Sequence, residues 1–100
     1  RILRLVRGLQ DKSGNVMLSL YRIADTGAEA AEFLLSENTP YLGRPLKDLP
    51  IRKGFLILAI LHDEAVVIPT GGTVLSAGDR VIVISHGKGI QTFRDIFPDD

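Results

Sequence analysis

Apolar residues recur with two different periods along this chain. Over residues 1–10, Ile2, Leu5, Val6 and Leu9 fall at i, i+3, i+4 and i+7, the stripe of an amphipathic helix. Arg1, Arg4 and Arg7 lie along one flank of that stripe. Asp11-Lys12-Ser13-Gly14-Asn15 is a turn cluster that ends it. Residues 16–23 alternate in part, with Val16, Leu18 and Leu20 on one side and Tyr21 and Ile23 on the other, which predicts a strand covered on both faces. Asp25-Thr26-Gly27 is the next break. Residues 28–36 point two ways. Their Ala, Glu and Leu content favours helix, whereas the short length and Phe33-Leu34-Leu35 favour strand; propensity alone leans to helix.

Beyond the loop that precedes Pro40, Leu46 and Leu49 are three apart behind Pro45, which predicts one short helical turn with proline at its start. Residues 55–61 are apolar throughout. They form a strand joined through His62-Asp63-Glu64 to a second strand over 65–68, and the pair reads as a β-hairpin. Residues 80–85 are rich in β-branched side chains and give another strand. His86-Gly87-Lys88-Gly89 leads into Ile90, Phe93 and Phe97, the spacing of a short amphipathic helix stopped by Pro98. Short connections between strands and a helix at the end indicate a compact α+β fold.

Composition narrows the function. The 100 residues are 45% hydrophobic with zero net charge, which excludes a disordered chain. Twelve Lys+Arg balance twelve Asp+Glu, so the basic excess of a nucleic-acid binder is missing. The absence of cysteine removes disulfides, thiolate nucleophiles and sulfur-ligated zinc, and agrees with a cytosolic setting. A membrane-spanning helix needs about twenty apolar residues, and the longest run here is Phe55 to Leu61, so no membrane insertion is expected. Position 1 is Arg rather than an initiator Met, and the chain reads as part of a longer protein.

The usual chemical signatures fail on spacing. Gly71-Gly72 and Gly87-Lys88-Gly89 match neither a dinucleotide fingerprint nor a phosphate loop, although His86–Gly89 before a helix could hold an anion on free N–H groups. His62-Asp63-Glu64 places three adjacent side chains on a turn, where they point apart rather than onto one metal. None of the serines sits in a strained nucleophile elbow. No enzyme is expected.

The order of pieces from Ala28 onward is distinctive. Glu32-Phe33-Leu34-Leu35 is followed by Gly43-Arg44-Pro45-Leu46-Lys47-Asp48-Leu49, the apolar strand Phe55 to Leu61, Ile68-Pro69, and then Thr73-Val74-Leu75 with Gly78-Asp79-Arg80-Val81-Ile82-Val83. This ordered set resembles the C-terminal regulatory domain (TrkA-C, or RCK-C) of Trk/Ktr-type potassium-uptake regulatory subunits. Arg7-Gly8-Leu9-Gln10 and Tyr21-Arg22-Ile23 are similar to the Trk branch.

The resemblance implies a small, mainly antiparallel sheet with short helices, preceded by an N-terminal linker helix. Residues 1–27 would be a linker helix and strand from an upstream domain outside this sequence, and residues 28–100 the domain itself, with 28–35 its first strand. It implies a cytoplasmic regulatory, ligand-sensing and dimerisation module: a homodimer within a larger ring, beneath an integral-membrane potassium transporter. The alternative is a purely structural assembly module without its own ligand. No cofactor is expected in this fragment, since NAD or ATP would belong to the upstream domain. A small anionic ligand such as a cyclic dinucleotide would sit at the dimer cleft, lined by Arg52, Lys53, Phe55 and Ile57. The Asn of cyclic-di-AMP-binding members falls near Leu56 here.

Overall fold

The computed structural model describes residues 2–5 and 11–98. Six strands form one antiparallel sheet: β1 (Ile2–Leu5), β2 (Val16–Ile23), β3 (Ala28–Leu34), β4 (Phe55–His62), β5 (Ala65–Val67) and β6 (Arg80–His86). Their spatial order is β1-β2-β3-β6-β4-β5, so the last strand in sequence lies in the middle. Among the described residues the helical content is two 3-10 turns, Leu46–Asp48 and Phe93–Ile96.

The start of the chain corrects the expected linker helix. Ile2–Leu5 is a strand, paired with Ile23 through Leu20, while residues 6–10 lie outside the described residues. An isolated helix this short is marginal in water, whereas the open edge of β2 offers backbone partners to an extended segment. Residues 28–34 are a strand, as the family resemblance implied, against their helical propensity. β3 pairs along its whole length with both β2 and β6, and two ladders outweigh a few tenths of a kcal/mol per residue of propensity. The expected helix after Ile90 is only a four-residue 3-10 turn. Its Thr92–Asp95 capping box starts it and Pro98 follows closely.

Two β-bulges decide which side chains enter the core. In β2 the register shifts between Met17 and Ser19, with Leu18 as the extra residue. Leu20 therefore joins Met17 on the inner face rather than lying beside Val16 and Leu18, as simple alternation predicted. In β4 the shift falls between Ile57 and Ala59, and Ile60 rejoins Phe55 and Ile57 on the inner face. An inserted residue reverses the phase of everything after it.

The inner face carries Met17, Leu20, Ala31, Phe33, Phe55, Ile57, Ile60, Val81 and Val83. Loop residues Leu35, Leu49, Leu75 and Ile90 and the second 3-10 turn (Phe93, Ile96), with Phe97 after it, cover that face. Phe93 meets Phe33 and Phe97 edge-on, each at 5.7 Å between centroids. The covering loops pair with one another: Leu46 N–H donates to Thr73 O, Lys47 N–H to Gly71 O and Gly43 N–H to Leu75 O. Asn15, buried at the end of the first turn, is a second fastening. Its Oδ1 accepts from Ser36 N–H at 3.0 Å and from the Thr39 hydroxyl, and its Nδ2 donates to Asp11.

Two stability predictions follow from this packing. Phe93→Ala removes a fully buried ring, and urea denaturation should show a loss of about 3–5 kcal/mol. The β4–β5 turn has Asp63 at φ 47° and Glu64 at φ 69°, a left-handed pair that costs a non-glycine residue about 1–2 kcal/mol. Glu64→Gly recovers part of that after its own entropy loss, and thermal denaturation should show a midpoint roughly 2–8 °C higher.

Candidate interaction face and basic end of the sheet

The outer face of the sheet is unusually apolar for a surface open to solvent. The register aligns Leu56 with Ile84 and Ile84 with Ala30, then Ala30 with Tyr21. A parallel row runs from Val66 through Leu61, Arg80 and Leu34 to Val16. These side chains are half-buried or exposed. Leu56 is 59% exposed, Leu58 on the bulge 44% and Val66 66%, and Ile68 just past β5 reaches 71%. The charge on this face is self-compensated, because Arg80 pairs with Glu32 at 2.9 Å. A sheet with one solvated face normally shows polar residues there; contiguous leucine, isoleucine and valine mark a surface that meets something else.

At one end of the sheet the structure gathers cations that are far apart in sequence. His86 N–H donates to Gly54 O at 2.9 Å. A Cβ on Gly54 would lie 3.1 Å from His86 O and 4.0 Å from the Lys88 side chain, and Gly54 has φ 97°, so glycine alone suits the position. This close approach brings the segment that carries Arg52 and Lys53 up to the segment of His86 and Lys88. The two anion candidates read from the sequence, the Arg52 segment and His86–Gly89, are therefore one locality. Gly87 N–H donates to Gly27 O, which adds the β2–β3 turn to the same end.

The four expected cleft residues do not share one surface. Lys53 is exposed and Arg52 half-buried. Arg52 is already engaged, with Nη1 donating to Asp95 O at 3.0 Å, N–H donating to Ile96 O at 2.7 Å, and its guanidinium 5.6 Å from the Phe55 ring centre. Phe55 and Ile57 belong to the core cluster. Their rings and branches are turned away from solvent, where a planar group would have to be held.

Glu29 has no role in the sequence pattern, yet the structure gives it one. It is nearly buried, accepts from Arg22 Nε at 2.9 Å and from Ile90 N–H at 3.1 Å, and so ties the segment after β6 to the sheet. It borders a cavity of about 460 Å³ between β2, β3 and residues 89–92, whose floor includes Met17, Leu20 and Phe33. The strict alternation of β3 turns Glu29 inward opposite Ser85 and Glu32 outward opposite Ile82. Among the described residues no group of His, Asp and Glu is arranged to hold a metal ion, and no helix is long and apolar enough to cross a membrane.

A family model for the TrkA-C domain matches residues 30–97. The chain belongs to the TrkA-C domain family. It is 29% identical over 84 residues to Trk system potassium uptake protein TrkA homolog 2 of Methanosarcina mazei, covering 84% of this chain and 19% of that protein. It is 32% identical over 78 residues to Trk system potassium uptake protein TrkA of Azorhizobium caulinodans, covering 78% and 17%. Similarity extends to K(+)/H(+) antiporter NhaP2 of Shewanella sp. (strain MR-4), at 33% over 69 residues, covering 69% and 12%. This TrkA-C domain thus spans about a fifth or less of the length of these relatives.

The Glu29 anchor makes a measurable prediction within this TrkA-C domain. Glu29→Ala strips a charged acceptor from Ile90 N–H and Arg22, and chemical denaturation should show a loss of about 1.5–3 kcal/mol, the range for hydrogen bonds to charged groups. Glu29→Gln keeps one acceptor and should lose less.

Proposed function

We propose that this TrkA-C domain is a regulatory module of a potassium-transport system, acting in the cytoplasm as a homodimer joined through the outer face of its sheet. The observation that carries the reading is that face: a family domain whose apolar rows end in Leu56, Leu58 and Val66 has a surface fitted to a second protein surface. Such dimers would build a ring beneath an integral-membrane transporter; the Trk names of its relatives support the link to potassium uptake. The antiporter relatives are consistent with the same module serving a different membrane partner, with potassium common to the names of both groups. The domain works by binding and geometry rather than by catalysis. A ligand changes its state only through unequal affinity for two arrangements of the dimer.

A small anion, such as a cyclic dinucleotide, would bind at the basic end on Lys53, Lys88 and His86, with Arg52 restrained by its bonds to residues 95 and 96. The second reading is an assembly module with no ligand of its own. It is favoured by one observation, the burial of Phe55 and Ile57, which leaves no free side chains from that pair to sandwich a planar group.

Sedimentation velocity at micromolar concentration tests the dimer. The wild type should sediment as a dimer, and Leu56→Glu with Leu58→Glu as a folded monomer, because like charges would be buried across the two-fold axis. A monomeric wild type would overturn the reading. For the ligand, titration of wild type and Lys53→Ala/Lys88→Ala with cyclic dinucleotides and nucleotides separates the two readings. A tenfold or greater weakening in the double variant supports the basic end, while no binding to either protein supports assembly alone.

A further inference from the structure

Away from both surfaces, one titratable side chain is bonded between two turns. His62 closes β4, and its Nδ1 lies 2.5 Å from Asp79 Oδ1. Asp79 is 3% exposed, and its second oxygen accepts from Ser76 N–H at 3.0 Å. The same turn exchanges backbone bonds with the end of β3, Leu35 N–H to Asp79 O and Gly78 N–H to Leu35 O, both at 2.9 Å. Asp79 therefore joins the imidazole to a turn that is itself fixed to the middle of the sheet. The ionised carboxylate only accepts, so Nδ1 donates, and the bond strengthens when the ring carries a charge.

The surroundings of the imidazole are one-sided. From the hairpin turn, Asp63 Oδ2 stands 3.4 Å from Nε2. Across the ladder, β5 contributes Ala65, which carries no charge. On β6, Arg80 turns to the outer face and pairs there with Glu32. Both charges within reach of the ring are thus negative. The attachment matters at the turn end of the hairpin: the β4–β6 ladder ends at Leu61, β5 pairs through three residues at the sheet edge, and the turn consists of two left-handed non-glycine residues.

We propose that His62 and Asp79 form a proton-operated latch that fixes the β4–β5 hairpin to the Ser76–Asp79 turn, tight when the imidazole is charged and looser when it is neutral. The device stands independently of dimerisation and of any ligand. Consistent with it, the hydrogen bond to Asp79, followed by the charges of Asp79 and Asp63, raises the His62 pKa above its ordinary 6.5 against a small opposing desolvation. Because the folded value is raised, the latch contributes fully below about 6.5, the unfolded value, and fades as pH climbs through the folded value.

Proton NMR titration of the full chain reads the ring directly, with His86→Asn assigning the two histidines. His62 should titrate with a midpoint above 6.5. His62→Asn supplies a donor near the Nδ1 position that does not titrate. The wild-type melting temperature minus that of His62→Asn should be larger at pH 5.5 than at pH 8.5, and His86→Asn should keep the wild-type profile. A His62 midpoint at or below 6.5, or the same pH dependence in wild type and His62→Asn, overturns the latch; the wild-type titration decides alone if the variant does not fold.

Discussion

A sheet needs a second layer to bury its apolar face, and here that layer is built almost entirely from irregular chain. Loop backbone over a core cannot turn to water for its hydrogen bonds, so the covering segments must satisfy one another. The ladder of single bonds from residues 43–47 to 71–75 does this, and Pro45 pairs with Val74 in an isolated bridge. Asn15 does the same for the turns at residues 11–15 and 36–39. With those groups satisfied, Leu75, Phe93 and Ile96 can sit fully buried on the sheet. Without them, the inner face would have nothing stable against it.

The same arrangement explains why the domain presents its other face. Among the described residues the covering segments lie on one side, and the β4 bulge sends Leu58 outward while returning Ile60 to the core. The strand that is apolar throughout is therefore buried on one face by its own chain and open on the other, where Leu56 and Leu58 are exposed. A sheet covered on one face by its own chain leaves Leu56, Leu58 and Val66 exposed on the other, and that exposed face is what the proposed pairing would use.

Much of this was legible. The strands at 16–23, 55–62 and 80–86, the hairpin and the turn behind Pro45 follow from local pattern, because their periodicity and turn residues agree with the final topology. What failed did so where a distant partner decided. Ile2–Leu5 carries a helical stripe, yet the edge of β2 decides its state. Ala28–Leu34 has helical composition, and strands on both sides override it. The two bulges leave no mark in composition, so the inward turn of Leu20 was hidden. At the site, Arg52 and Lys53 were identifiable as cations before an apolar strand. The meeting of their segment with that of His86 and Lys88 was not, because it depends on a glycine approach between segments more than thirty positions apart. Glu29 was hidden because its segment has helical composition and its partner Ile90 lies far along the chain.

The place of β6 also governs when the domain can come into being. Its neighbours on either side, β3 and β4, precede it in the chain, and Ala28 must wait for His86 to arrive before that end of the ladder closes. Contacts of such long sequence range are slow to form, since loop closure comes before any reward. A nascent chain that has emerged only as far as Val67 would hold a completed hairpin at β4–β5 and another at β2–β3 with no strand between them. Both would expose the edges that β6 later covers, the β4 edge rich in leucine and isoleucine. The domain is thus committed to folding as a whole once its C-terminal third is available, and until then its apolar strands depend on the ribosome or a chaperone for shelter.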